Sequence, residues 1–350
     1  MPTTSLTIGN ELLSTTMHIL MKEWRDNVHE STAFLDASER VHGAGKPVQA
    51  GGTRIVVPLG FGEHSSTTRM QTGFERIDLT VEDVFKPAQY DWGHVVRPVA
   101  ISSEEEMTNQ GDAAVLSIIE SRTKMTANAL KREFVKQIVQ GSQTGWEDWN
   151  TLNGVDVTSG DHQGFLEQDA VGSQGNTVGS VSKSTYSSKT GWQNQIFDGA
   201  GSFNSNGLAG LYDLKVEIAS VSPNGDPNVI LASRAGFKNL KRALQAHERY
   251  VDQSKIDGGR LVEYWDGVQI NVERNMPTAG TNTTADPISF YMLNLNDIMC
   301  VWDPQGYFDL SDFETVSGEY DVRSAKLRCR GQLIAKHLGS SGIAFDLETF

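Results

Sequence analysis

Disulfide bonds and membrane segments are the first features that this sequence lacks. The chain of 350 residues has only two cysteines, Cys300 and Cys329, at a spacing typical of neither a metal site nor a disulfide framework. No stretch approaches the roughly 18–20 apolar residues of a membrane-spanning helix, and the first residues lack the basic start and apolar run of a signal peptide. We therefore expect a chain that folds in a reducing, cytosolic environment without a membrane anchor.

Motifs of the common enzyme chemistries are also missing. The sequence contains no G-x-S-x-G elbow, no P-loop, no H-E-x-x-H helix and no C-x-x-C pair. The segment HGAGK at 42–46 has only two of the three glycines of a dinucleotide-binding loop. We expect no catalytic residue, no cofactor and no metal site, and therefore no enzyme.

Three clusters of polar residues fit a structural role better than a chemical one. Asp91 and His94 flank Trp92 at a predicted strand end, where a His beside an Asp is usually a hydrogen-bonded structural pair. The three glutamates at 104–106 are typical of a helix start. The segment SGDHQG at 159–164 offers one or two metal ligands without the others that a site requires.

Positive charge is scarce. There are 30 Lys and Arg residues against 44 Asp and Glu residues, which gives a net charge of −14. Tight, sequence-independent binding to nucleic acid depends on many Lys and Arg contacts with phosphates, so this balance argues against it. Hydrophobic residues make up 38% of the chain and the 34 glycines bring this to about 48%, which is ordinary for a globular protein.

A long two-stranded excursion at 51–92 is the most informative feature that is present. Apolar and other residues alternate over 53–59, and a tip rich in Gly, Ser and Thr follows at 60–73. A return strand is predicted at 75–85, because Ile77, Leu79 and Val81 share one face. An isolated two-stranded ribbon is marginally stable in water. We expect the ribbon to lie on something, most economically on a neighbouring subunit.

A long amphipathic helix is predicted at 112–140, after a capping box formed by Ser102 with Glu105 or by Ser103 with Glu106. Its basic C-terminal end and the following Gly141 suit a helix terminus. At 1.5 Å per residue it is about 40 Å long, which indicates a spine.

The other regions differ in character. Residues 1–44 resemble an arm whose second half is irregular, and residues 155–207 are predicted as a Gly/Ser-rich loop insertion. Helices, strands and a hairpin on Asp266–Gly267 follow from residue 208. The few residues of the insertion that are expected to be buried are Phe165, Val171, Tyr186, Trp192, Ile196 and Phe197.

The strand-rich tail carries a basic stripe of Lys326, Arg328 and Arg330, opposite a predicted apolar face. Two interpretations stay open. The stripe either faces nucleic acid or pairs with acidic residues of a neighbouring hairpin. We favour pairing because the chain is acidic overall. The acidic residues considered are Glu75, Asp78 and Glu82.

The order of these elements resembles that of the major capsid proteins of tailed double-stranded-DNA bacteriophages. Four segments carry the resemblance: GGTRIVVPLGFG, YDWGHVVRPVAISSEEEMTNQGDAA, NTVGSVSKSTYSSKTGWQNQ and PNVILASRAGFKNLKRAL. The resemblance implies an α+β fold in four parts. They are an N-terminal arm (1–44), an extended hairpin loop (45–94), a peripheral domain with a spine helix and long strands (95–145 and 300–350), and a central axial domain (146–299).

The resemblance also implies a function. Many copies would form the hexamers and pentamers of an icosahedral head, assembled in the host bacterial cytoplasm, and the product would be a virion. The implied partners are other copies of the chain, a portal protein, scaffolding and decoration proteins, and packaged DNA held by weak contacts. The residues expected at subunit interfaces are Arg54, Arg69, Phe74, Glu75, Asp78, Glu82, Lys326, Arg328 and Arg330.

Two alternatives remain at this point. The first is a nanocompartment shell of the same fold, similar to the encapsulins. The second is a polysaccharide-acting enzyme or binding module, suggested by the tryptophans and the Gly/Ser-rich loops. Paired carboxylates about 5–10 Å apart in a Trp-lined cleft would favour that enzyme.

Overall fold

The structure is a computed structural model in which part of the chain is described. The described residues are 33–42, 49–61, 69–71, 73, 76, 84–108, 118–141, 143–154, 163–186, 190–200, 202–246, 256–257, 260–261, 263–277, 286–315 and 321–350.

The described residues combine helices and strands, which confirms the α+β prediction. The helices are α1 (Ala33–His42), α2 (Ser103–Thr108), α3 (Ile118–Gln140), α4 (Phe203–Val221) and α5 (Arg234–Ala246). The strands are β1 (Arg54–Gly60), β2 (Phe85–Asp91), β3 (Gly93–Ser102), β4 (Thr151–Asn153), β5 (Gly164–Leu166), β6 (Thr177–Val178), β7 (Val181–Ser182), β8 (Gln195–Asp198), β9 (Val229–Ala232), β10 (Ile256–Asp257), β11 (Arg260–Leu261), β12 (Glu263–Trp265), β13 (Val268–Val272), β14 (Ile288–Leu293), β15 (Ile298–Trp302), β16 (Asp309–Leu310), β17 (Glu314–Thr315), β18 (Val322–Ala335) and β19 (Gly342–Phe345).

The long strand β18 organises one sheet. It pairs with β3 along one edge over ten residue pairs, from Val322 opposite Ser102 to Gly331 opposite Gly93. Its other edge pairs in turn with β17, β16 and β15. Helix α3 packs against β3 and β18. The tail therefore pairs with the strand that directly follows the ribbon.

A six-stranded sheet has the order β12-β13-β9-β14-β19-β8 and carries α4 and α5. Alternate residues of β9 face different cores, because successive side chains of a strand point to opposite faces. Ile230 and Ala232 join a small cluster under α4 and α5, whereas Val229 and Leu231 join the large cluster. The last strand, β19, belongs to this sheet although its segment was grouped with the peripheral part.

Several local predictions are confirmed. The amide of Glu105 donates to Ser102 Oγ and the amide of Ser102 donates to the Glu105 carboxylate, so Ser102 and Glu105 form the capping box. Asp266 and Gly267 both have positive φ, which a two-residue hairpin turn of type I′ requires. Helix α3 ends where predicted, with Gly141 at positive φ donating to the Gln137 carbonyl.

Two predictions need correction or restriction. The segment from residue 33 to 42 is the helix α1 rather than irregular chain, and its buried residues Phe34, Leu35 and Ala37 pack in the large cluster. The predicted helix start at 112 lies outside the described residues, and the helix is described from Ile118. Among the described residues, no helix combines the length and apolar character that a membrane span requires.

Candidate assembly surfaces

The ribbon at the base of the long excursion is formed by β1 and β2. They pair antiparallel from Arg54 opposite Asp91 to Gly60 opposite Phe85. The return strand of this paired base is therefore 85–91, and not 75–85 as predicted. Most of the predicted return strand lies outside the described residues.

The inner face of the ribbon packs on its own chain. Ile55, Leu59, Ala88 and Tyr90 are buried in the large core cluster. The Tyr90 hydroxyl donates to the Ala335 carbonyl at 2.9 Å, which ties the ribbon to β18. Burial raises the pKa of Tyr90 well above its ordinary value. The expectation that the ribbon would rest on a neighbour is wrong for this face, because the insertion covers it.

A tight turn of the insertion holds the edge of the ribbon. The amide of Gln89 in β2 donates to the Gly179 carbonyl at 2.8 Å. Gly179 has a positive φ of 59°, and a Cβ there would lie 2.8 Å from the Ala88 side chain. Only glycine combines this backbone conformation with such a close approach.

The insertion itself has a polar core. Lys183 and Glu167 form an ion pair of 2.9 Å with side-chain exposures of 0% and 5%. Lys183 Nζ also donates to the Phe165 carbonyl at 2.6 Å and to Asn194 Oδ1 at 3.2 Å. Burial lowers the pKa of Lys183 to about 8, and Glu167 opposes that shift.

Backbone amides complete the network around Glu167. The amides of Gly175 and Asn176 donate to its two carboxylate oxygens at 2.9 and 3.0 Å. The region expected to be a loop is thus ordered by buried polar groups. Phe165 and Trp192 are buried as expected, whereas Val171 is 40% exposed.

The outer face of the ribbon is apolar and open. Val56 and Phe85 are 52% and 73% exposed, and Pro58 and Pro87 lie exposed and directly opposite each other between them. At one end of this face Arg54 pairs with Asp91 at 2.7 Å. Contiguous exposed apolar groups of this kind mark interaction surfaces more often than single ones do.

The basic stripe divides into two parts. Lys326 and Arg328 are exposed on β18, and no carboxylate among the described residues forms an ion pair with either. Arg330 instead pairs with Asp303 at 2.9 Å and lies 5.0 Å from the centre of the Trp92 ring. Within the described residues, the stripe therefore has two exposed cations without an ion-pair partner.

No family model and no curated protein matches the sequence. Solved structures do match. The capsid of the empty GTA particle has a TM-score of 0.62 at 12% identity and covers 98% of this chain and 99% of its own. The capsid of cyanophage A-1(L) has a TM-score of 0.61 at 15% identity, with 98% and 99% covered. The SrpI encapsulin of Synechococcus elongatus PCC 7942 has a TM-score of 0.57 at 10% identity, with 96% and 94% covered.

The chain has the tailed-phage capsid fold. The likeness extends over nearly the full length of both chains in each comparison. The likeness therefore concerns the fold as a whole and does not rest on one common motif.

The predicted interface residues occupy different places in this capsid fold. Arg54 lies at the ribbon base, and Arg69 is exposed in the excursion. Phe74, Glu75, Asp78 and Glu82 lie outside the described residues, so the acidic partners that were considered are not placed. The prediction did not name Val56 and Phe85, which are exposed on the ribbon and belong to the apolar VV and VF pairs of the sequence.

The polar residues that could have formed a catalytic or metal site do not come together in the described part of the fold. Asp91 pairs with Arg54, while His94 is exposed on β3, so the predicted pair of Asp91 and His94 does not form. Among the described residues, no group of three or more His, Cys, Asp or Glu side chains is placed to hold a metal ion. Residues 159–162 lie outside the described part of the chain.

The tryptophans that suggested a carbohydrate site are mostly part of the core. Trp149 and Trp302 surround Phe134, with ring centroids 5.1 Å away in both cases. An aromatic platform for sugars must be exposed, so burial removes the reason for that alternative. The tryptophans exposed by 3% or less are Trp146, Trp149, Trp192, Trp265 and Trp302.

Proposed function

We propose that this chain is a major capsid protein that associates with copies of itself to build a closed shell. The observation that carries the proposal is the apolar outer face of the ribbon, where Val56 and Phe85 are exposed beside two prolines. Burial of apolar surface is the main favourable term in protein association. The tailed-phage capsid fold supports an assembly of this kind over a catalytic role.

The shell we propose is an icosahedral head built from hexamers and pentamers. The contacts would be heterologous, so that one surface of each copy meets a different surface of the next and the rings close by rotation. We propose residues 95–145 and 300–341 as the peripheral domain, with α3 as its spine. Residues 146–299 and the strand β19 would form the axial domain, which the pairing of β19 with β14 and β8 supports.

The proposed location is the virion, with assembly in the cytoplasm of a bacterial host. A net charge of −14 suits a wall that encloses DNA and touches it weakly. A portal protein and scaffolding and decoration proteins are further proposed partners. Of the predicted arm (1–44), we propose that residues 1–32 reach a neighbour, because α1 packs in the core of its own chain.

The test is the assembly state of the purified chain. Light scattering and negative-stain microscopy should find closed shells, or rings of five and six copies, at micromolar concentration. Replacing Val56 and Phe85 with Ser should shift that distribution toward monomers. A chain that stays monomeric at every concentration and salt tested would refute the proposal.

A nanocompartment shell is the second candidate, because the SrpI encapsulin shares the fold over 96% of this chain. A phage head and a nanocompartment differ in what the shell encloses. Particles purified from the native host should contain nuclease-protected DNA if the chain builds a phage head. Particles that hold a protein cargo and no DNA would favour the nanocompartment.

A further inference from the structure

A cleft of about 460 Å³ opens beside the sheet of β3 and β18. Its walls are Trp92 and His94 at the start of β3, Arg328 and Arg330 on β18, and the turn of Asp303, Gln305 and Gly306. The volume lies within the range of pockets that enclose small ligands or the side chains of a partner. The proposed function does not use this cleft.

The acidic group of the cleft is already satisfied. Asp303 Oδ2 accepts from Arg330 Nη1 at 2.9 Å, and its Oδ1 accepts from the amide of Gln305 at 3.0 Å. The Asp303 side chain is only 12% exposed. Asp303 therefore neutralises Arg330 and offers little to a ligand.

One cation of the cleft lacks an ion-pair partner among the described residues. Arg328 is exposed and forms no ion pair within the described part of the chain, although Asp309 lies opposite it in strand register. A guanidinium has five N–H donors in a planar fork that suits a carboxylate. The cleft thus combines excess positive charge with an exposed guanidinium.

We propose that this cleft binds a carboxylate side chain of a second copy of the chain. Arg328 would hold the carboxylate, with His94 beside it. Each copy brings 44 acidic residues against 30 basic ones, so charge complementarity favours another copy as the partner. Nucleic acid fits less well, because it requires a row of free cations and the next one along the strand, Arg330, is held by Asp303.

The first experiment compares two charge reversals at positions two residues apart. Arg328→Glu places the same new charge on β18 as Lys326→Glu, but only Arg328 lines the cleft. We expect Arg328→Glu to raise the concentration needed for assembly at least about tenfold, the scale of losing one partly buried charge contact, and Lys326→Glu to change it much less. Equal effects of the two variants would overturn the proposal in favour of general repulsion.

The second experiment identifies the partner carboxylate. Arg328→Lys keeps the positive charge and supplies a primary amine, which a carbodiimide joins to a carboxylate in contact with it, with loss of water. Shells assembled from a mixture of ¹⁴N- and ¹⁵N-labelled copies are coupled, digested and analysed by mass spectrometry. We expect residue 328 to be joined to an Asp or Glu of a differently labelled copy. Links within one copy only would overturn the proposal.

The inference rests on the proposed function, and the outcomes separate the two. If no shell forms under any condition, both fail. If Arg328→Glu assembles as the unchanged chain does, only the cleft proposal fails. If its shells form normally but hold less DNA, the cleft binds nucleic acid and the proposed partner is wrong.

Discussion

The insertion around Lys183 and the outer surface around Arg328 both place a basic side chain in an acidic protein, but their surroundings differ. Lys183 is fully buried, and its three donors reach Glu167, Asn194 and the Phe165 carbonyl. Arg328 is exposed, and the described part of its own chain supplies no ion-pair partner. The first site is complete in one copy, whereas the second presents a cation that we propose is bound by a carboxylate of another copy.

The difference separates the side chains that fold the subunit from those that are available for assembly. A buried charge must be paired inside the chain, since desolvation is otherwise very costly. An exposed cation or apolar patch carries no such penalty and can be left for a partner. Substitutions in the insertion should therefore affect folding, and substitutions on the surfaces should affect association.

Lys183→Met should have the largest effect on folding. It leaves the carboxylate of Glu167 buried without its cation, and breaking a buried pair by removing one partner costs about 3–5 kcal/mol. We expect the free energy of unfolding of the unassembled subunit to fall by this amount in urea denaturation. The ribbon should loosen with it, because the insertion supports β2 through Gly179.

The control for Lys183→Met is the double variant Lys183→Met with Glu167→Gln. It removes the buried negative charge as well, so part of the lost stability should return. If the single variant unfolds at the same urea concentration as the unchanged chain, Lys183 is not a structural cation and the comparison fails.

Ile55 and Val56 lie on opposite faces of the ribbon, so they also test the distinction between folding and assembly. Ile55 is 2% exposed and Val56 is 52% exposed. Ile55→Ser should lower the free energy of unfolding by about 3 kcal/mol, because it removes buried apolar volume. Val56→Ser should change it by less than about 0.5 kcal/mol.

Assembly should respond in the opposite order to folding, when it is measured under conditions in which both variants are folded. Val56→Ser should raise the concentration at which light scattering first detects shells. An outer face without a role in association predicts instead that Val56→Ser assembles normally.

Tyr90→Phe adds a pH dependence to the comparison. Tyr90 loses its hydrogen bond to Ala335, which should cost about 1 kcal/mol at neutral pH. Burial raises the pKa of Tyr90 above the value of 10.0 that applies to the unfolded chain. The unfolded state therefore loses this proton first, so the stabilisation from Tyr90 is fully present below pH 10 and declines above it.

The measurement is urea denaturation of the unchanged chain and of Tyr90→Phe between pH 8 and pH 11. Their difference should shrink above pH 10, and the contribution of Lys183 cancels because both proteins contain it. A difference that stays constant with pH would show that Tyr90 is not held neutral by the fold.

Local features of the fold were predictable from the sequence. The capping box of Ser102 and Glu105 and the turn at Asp266–Gly267 depend on residues that are neighbours in the chain. The ribbon register was not predictable in this way. The stretch 75–85 alternates more regularly than 85–91, where Pro87 interrupts the pattern. The pairing of the base follows from how Ala88 and Tyr90 pack on the insertion.

The candidate sites were likewise predictable only where they depend on residues that are close in the sequence. The basic stripe was visible in the sequence because it alternates along one strand. The ion pair of Lys183 and Glu167 joins residues 16 positions apart in a polar segment without periodicity. The cleft exists only because the turn at Asp303 folds against Arg330, which no local pattern indicates.

Asp303→Asn should have the smallest effect, and it should act on folding and association in opposite directions. The pair of Asp303 with Arg330 is partly solvent-exposed, so its loss should lower the free energy of unfolding by no more than about 1 kcal/mol. Asn retains an oxygen for the amide of Gln305, so the turn should persist. The cleft meanwhile loses a negative charge and gains a free guanidinium. If a carboxylate of another copy binds there, assembly should begin at a lower concentration than in the unchanged chain, even though each subunit is slightly less stable. If assembly and stability fall together, Asp303 acts only on the fold and the cleft is not a binding site.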